Sequence, residues 1–307
     1  MSGAYDTAAQ ARGVCEWLAD AVGVEARQWV RTHPAFPAAM DESAASMVGL
    51  YSGNRLLNRV LNDRGRLLFG FLALYLHALP EARGGGLTVS HMAALAAETG
   101  VCSRGRAKAM LALLRWGGYL APAEHGGDRR VKPLEPTPRM VSLQLQRWQI
   151  QYRLLSTLDP KLGELETALT DRAVFDAVAI ALGDGFRAGY RVLDDAPSIA
   201  ELADRDSGIM ILMALHVAAV AGEASPSIAE LARRFHVSRA HVLQLLKDAQ
   251  AGGLLSRDAE AGAGRLTERG QEALADFFAS SFAFLRGSAH LALERTAAAK
   301  AAAGIAG

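Results

Sequence analysis

The chain has 307 residues, half of them hydrophobic and 7% aromatic, with a formal net charge of +1. That length suggests two domains of ordinary size, each able to bury a core, and the plenty of alanine, leucine and arginine favours helices. Cys15 and Cys102 lie too far apart for a metal or redox motif and fit a reducing cytosol.

The first predicted helix spans about 7–31 and ends at the His33-Pro34-Ala35-Phe36-Pro37 breaker. A second covers about 42–62, with Met47, Leu50, Leu56, Leu57, Val60 and Leu61 on its apolar face. Leu67 to Leu79 is apolar almost all round and predicts a central buried helix. After the Gly84-Gly85-Gly86 loop comes a helix–turn–helix, then a helix over about 138–158 stopped by Asp159-Pro160. A helical stretch over about 162–194 is expected to break near Gly183-Asp184-Gly185, and a buried helix follows at about 207–221. That run, like Ile209 to Ala221 within it, is too short to span a bilayer, and the N-terminus has no export signal. A second helix–turn–helix precedes a last amphipathic helix over about 268–295, and the alanine-rich end from Thr296 has no core face. His77, His216 and His290, with Trp116 and Trp148, are expected in cores.

The two helix–turn–helix segments are copies. Residues 92–120 and 228–255 align with Met92 on Ile228, Leu95 on Leu231 and Val101 on Val237, an offset of 136. One extra residue, Cys102, reduces the offset to 135, matching Ser103 with Ser238, Arg104 with Arg239 and Gly117-Gly118 with Gly252-Gly253. A short helix, a tight turn and a second helix opened by Ser-Arg is the unit that lays its second helix in the DNA major groove. So long a period marks a tandem duplication of a domain, with halves 1–150 and 151–307 and reading heads at 88–140 and 225–270.

Charge follows the same division. Residues 88–140 hold eight basic and four acidic side chains, 225–270 seven and five, and the intervening 159–206 five and eleven. Basic heads on an acidic body suit heads that face phosphates.

Each Gly-Gly stop is followed by an apolar pair, Tyr119-Leu120 or Leu254-Leu255, that can begin a strand. A return strand would make a β-wing. The first copy carries Asp128-Arg129-Arg130 in the wing and Thr137-Pro138-Arg139 after it; the second carries Leu266-Thr267-Glu268-Arg269-Gly270. These residues resemble the MarR family of bacterial transcription regulators, over roughly 65–150 and 205–290. The resemblance implies a mainly α fold with small β-wings: tandem winged helix-turn-helix domains, related here by a pseudo-two-fold axis. It also implies double-stranded DNA as partner, a cytoplasmic, nucleoid-associated protein and a small-molecule effector, though no residue marks an effector cavity. The family usually has one head per chain and acts as a homodimer, so this chain resembles a single-chain pseudo-dimer, as a monomer or itself dimerised. The first copy departs from the family at Pro136 and Met140, and the second lacks the Asp-Arg-Arg and has a shorter wing.

The contacts also follow from chemistry. Ser103 and Ser238 stand where helix N-caps belong, and a helix start favours phosphate. Arg104, Arg106 and Lys108 in the first head, and Arg239 and His241 in the second, project from the first turns of the reading helices. An arginine there can pair with guanine O6 and N7. Arg129, Arg130 and Lys132, with Arg265 in the second head, are wing candidates for phosphate or a narrow minor groove. Arg233 and Arg234 stand open between phosphate and solvent. Cys102 reads as a small turn residue in preference to a thiol activated by Arg104 and the helix start.

No phosphate-binding glycine loop, zinc-type His-Glu-x-x-His or Gly-x-Ser-x-Gly is found, so neither an enzyme nor a cofactor or metal site is expected. Two functions compete: a sequence-specific DNA-binding transcription regulator, and an interaction or scaffold protein whose heads no longer read DNA.

Overall fold

Good helix formers fill most of the chain, and proline and glycine decide where the helices stop. The computed structural model describes residues 3–53, 64–124, 132–257, 262–302 and 304. The fold is mainly α, with two small two-stranded antiparallel sheets among the described residues.

Among the described residues the chain opens with α1 (Gly3–Val22), α2 (Val24–Thr32), α3 (Phe36–Tyr51) and α4 (Arg64–Ala78). The single helix expected over 7–31 is broken at Gly23, where an added Cβ would sit 2.6 Å from the Ala19 carbonyl oxygen. Helix α3 starts earlier than the expected residue 42 because Pro37 falls in its first turn, where a missing N–H costs nothing. Leu56, Leu57, Val60 and Leu61 lie outside the described residues. Helix α4 is the central apolar helix that the sequence predicts, with Phe69, Leu72, Leu74, Tyr75 and Leu76 buried.

Next come α5 (Val89–Glu98), α6 (Arg104–Trp116), β1 (Leu120–Pro122), β2 (Leu134–Pro136) and α7 (Pro138–Ser156). The stretch expected as one helix over 162–194 is instead a short α8 (Leu165–Ala168) and then α9 (Arg172–Arg187). The Asp171 carboxylate caps α9 by accepting the Ala173 N–H at 2.9 Å. Gly183 and Gly185 do not break α9. They clear space for neighbours, since an added Cβ would come 2.1 Å from the Tyr75 ring and 2.6 Å from the Phe284 ring.

The remainder is α10 (Pro197–Ala203), α11 (Gly208–Val220), α12 (Ile228–Arg234), α13 (Arg239–Ala251), β3 (Leu255–Ser256), β4 (Arg265–Leu266) and α14 (Glu268–Ala302). Helix α14 continues through the alanine-rich end instead of stopping near residue 295, as alanine's high propensity allows.

Two compact units result. Unit 1 comprises residues 1–29, 68–190 and 282–307; unit 2 comprises 30–67 and 191–281. The chain therefore interleaves them rather than dividing at residue 150. Each unit holds one helix–turn–helix and hairpin. Unit 1 buries Trp148, whose ring meets Phe71 and Phe175 at 5.7 and 4.7 Å between centroids. In unit 2, α11 packs along α3, and the buried His216 pairs through Nε2 with Asp41 at 2.7 Å.

Unit 1 also encloses two carboxylates. Asp184 on α9 accepts from the Tyr75 hydroxyl at 3.1 Å, from Arg83 at 2.8 Å and from Arg295 at 3.0 Å. Burial, then the Asp184 charge, push the Tyr75 phenol up to about 12, so it stays a donor at neutral pH. Asp159 accepts from Arg286 at 2.6 Å and from the Lys161 N–H at 3.2 Å, and pairs with His290 at 2.8 Å.

Burial alone would raise the Asp159 pKa, but the hydrogen bonds from His290 and Arg286, the guanidinium charge and the Lys161 N–H outweigh it and hold the pKa below the usual value. A depressed native pKa stabilises the fold at pH values above the unfolded carboxylate pKa, and that contribution is lost as pH falls through the native value. Asp159→Asn should therefore lower stability at neutral pH and flatten the acid limb, as read from urea midpoints across pH. An unchanged acid limb would show that Asp159 has no part in it.

Candidate nucleic-acid interface

The two helix–turn–helix copies are built from the same local hydrogen bonds. In unit 1 the Ser103 hydroxyl accepts the Arg106 N–H at 3.3 Å and opens α6; in unit 2 the Ser238 hydroxyl accepts the His241 N–H at 3.1 Å and opens α13. Both serines have the extended backbone of an N-cap. Replacing either hydroxyl leaves a helix-start N–H without its partner, at a cost of about 1 kcal/mol.

The turns before them differ in one instructive way. Each requires a left-handed residue, supplied by Gly100 at φ 69° in unit 1 and by His236 at φ 55° in unit 2. A histidine there carries a steric cost that glycine avoids. The Val101 and Cys102 N–H groups both donate to the Ala96 carbonyl, at 2.9 and 3.3 Å, whereas Val237 alone donates to Ala232 at 3.1 Å. Cys102 is thus accommodated within the turn, which is why the repeat offset changes there.

Its thiol is not activated. Burial pushes the Cys102 pKa up, and the nearby Arg106 charge opposes the shift without reversing it.

Hairpins follow the second helix of each copy. Leu120 pairs with Pro136 in the first, and Leu255 with Leu266 in the second. The first is edged by a third segment, with Leu134 N–H donating to the Leu87 carbonyl at 2.8 Å. A threonine latches each hairpin to the end of the helix before it. The Thr137 hydroxyl donates to Gly118 and that of Thr267 to Gly253, both at 2.7 Å, and each oxygen accepts the N–H of the residue three positions on. Between the glycine and the threonine the repeat offset falls from 135 to 130, so the second hairpin is shorter by five residues.

Arg139 reinforces the first latch by donating to the Gly117 carbonyl at 3.2 Å, with its guanidinium 5.0 Å from the Tyr119 ring centroid. A cation at a helix C-terminus suits the dipole. Only the tertiary contact identifies this role, although Arg139 was legible as part of the wing-to-helix motif.

Arg104, Arg106 and Lys108 are exposed, as are Lys132, Arg233, Arg239 and Arg265, and their side chains make no hydrogen bond or ion pair among the described residues. The structure brings Arg104, Arg106 and Lys108 onto the first two turns of α6, after the exposed Ser103. In α13 the corresponding turns hold Arg239 and His241 after Ser238. Arg129 and Arg130 lie outside the described residues.

Two candidates are committed internally. Arg234 donates through Nε to the Ser52 hydroxyl at 2.6 Å. The His241 ring donates through Nε2 to the Asp206 carbonyl at 2.9 Å. Further along α13, Asp248 pairs with Arg205 and accepts from Gln244. Helix α6 carries Arg104, Arg106, Lys108 and Arg115 and no acid, so it is the more basic of the two.

Trp116, expected in a core, is 69% exposed at the C-terminal end of α6. Its neighbour Leu114 takes the core position, because the 3.6-residue period turns Trp116 away from the face that buries Ala107, Met110, Leu111 and Leu114.

Among the described residues no helix is long and apolar enough to cross a membrane, and no group of three His, Cys, Asp or Glu could hold a metal. No protein-family model, no curated protein and no solved structure matches the chain.

Proposed function

We propose that this chain is a sequence-specific, double-stranded DNA-binding transcription regulator with two winged helix-turn-helix heads in one polypeptide, of the kind the MarR resemblance implies. The observation that carries this reading is the duplicated unit with its shared caps and latches. In it the first turns of the second helix present exposed cations with no partner among the described residues. Arg104 and Arg239 occupy equivalent positions beside the capping serines, where a side chain can reach base edges while the helix start meets phosphate.

The asymmetry of α13 supports a second reading, in which the second head serves a protein partner. Its Asp248, paired with Arg205, places an acid on a helix whose counterpart α6 has none.

A salt titration of binding to random-sequence duplex tests the main reading. Affinity should fall with salt in proportion to the phosphates contacted, with a log–log slope of about −0.9 for each. Lys132→Ala combined with Arg233→Ala should make that slope shallower by roughly one to two. Absence of duplex binding at low salt, with the fold intact, would overturn the proposal and favour the interaction reading.

A further inference from the structure

Equivalent positions of the two reading helices carry opposite hydrogen-bonding character. Under the offset of 135, Arg106 in α6 matches His241 in α13, each the third residue of its helix and each giving its backbone N–H to the capping serine. Arginine has donors only. Histidine can donate or accept at each ring nitrogen, and its surroundings decide which.

Those surroundings are specific in unit 2. The chain before α11 runs through Arg205, Asp206 and Ser207, and Ser207 adopts the left-handed conformation at φ 58°. The Ser207 residue is fully buried, and its hydroxyl has no hydrogen-bond partner among the described residues. The Arg205 pair with Asp248 and the bond between the Asp206 carbonyl and the His241 ring join this segment to α13. A carbonyl oxygen can only accept, so the ring nitrogen facing it, Nε2 at 2.9 Å, must hold a proton. In the neutral imidazole the other nitrogen, Nδ1, then carries a lone pair, and it has no partner among the described residues.

Resting on the DNA-reading function above, we infer that His241 is a specificity-determining residue that reads an amino base through Nδ1 as an acceptor. The groups it fits in the major groove are the N4 amino group of cytosine and the N6 amino group of adenine. Guanine offers two acceptors there, and a lone pair facing them is repelled. The first head, with Arg106 at the same place, presents donors and suits guanine. The two heads thus differ in the kind of base edge they select as well as in charge. The segment Arg205–Ser207 sets that difference, because the Asp206 carbonyl fixes which ring nitrogen holds the proton.

The test is a selection from random duplexes with the full chain at mildly alkaline pH, comparing the wild type with His241→Lys and His241→Gln. The backbone N–H at 241 bonds to Ser238 whatever the side chain, so both variants keep the cap. The wild type should enrich adenine or cytosine at one position in one half-site. His241→Lys, a donor only, should lose that preference by about three- to tenfold and move it toward guanine, with the other half-site unchanged. His241→Gln keeps an acceptor and should retain adenine. An unchanged preference in His241→Lys, while the wild type still selects a sequence, would overturn this inference and leave the DNA-reading function standing. A wild type that binds duplex with no preferred sequence would overturn both.

Discussion

Asp184→Ala should destabilise unit 1 by about 3 kcal/mol, the low end of the range for breaking a buried ion pair by removing one partner. The Asp184 side chain is 3% exposed and accepts from one phenol and two guanidinium groups on three different segments. Without it, Tyr75 loses its acceptor within the core, and Arg83 and Arg295 lose their shared anion. Those arginines are 30% and 37% exposed, so water recovers part of their solvation, which is why the low end applies. Asp184→Asn keeps one acceptor oxygen and should cost less. Tyr75→Phe removes one hydrogen bond and should cost about 1 kcal/mol. Urea unfolding of the three variants gives the order, and an Asp184→Ala cost below that of Tyr75→Phe would show that the arginines do not depend on the carboxylate.

What could be read from the chain beforehand tracks the sequence distance of the forces involved. The caps at Ser103 and Ser238 and the turns before them are set by bonds over three to six residues, so the pattern of residue types is enough to reveal them. The apolar run of α4 needs no partner to be recognised as buried, because every face of it is hydrophobic. Gly183 and Gly185 misled because glycine looks the same whether it breaks a helix or makes room for a ring. Their reason is Tyr75 and Phe284, about a hundred residues away in either direction. Trp116 misled for a related reason. Its size argues for burial, but its phase on α6 turns it outward, and phase is the better guide.

The candidate interface divides in the same way. Exposed cations on a helix start can be inferred from spacing, and Arg104, Arg106, Lys108 and Arg239 are where spacing put them. The commitments of Arg234 to Ser52 and of His241 to Asp206 are tertiary and leave no local signature. The interleaving of the two units is likewise a matter of long-range contacts, which a cut at the middle of the repeat cannot reveal.

Arg104→Ala and Arg239→Ala should each relax base preference in a different half-site, and the preferred operator should be a non-palindromic pair. Under the proposed DNA reading, the physical reason is that one chain presents two unlike helices, one with Arg104, Arg106 and Lys108, the other with Arg239 and His241. An exact homodimer would impose a palindrome; two different sets of side chains cannot. If each arginine pairs with a guanine, its loss should cost about 1–3 kcal/mol of discrimination at that base, or roughly 5- to 150-fold. The phosphate contacts elsewhere should keep nonspecific affinity nearly intact. Both arginines are exposed and partner-free among the described residues, so neither substitution should disturb the fold. Selection on random duplexes with each variant separates the outcomes. A palindromic optimum bound by one chain, or relaxation of both halves by one substitution, would contradict two independent heads. If Arg239→Ala changed nothing while Arg104→Ala abolished preference, DNA reading would belong to the first head alone, leaving the second for a protein partner.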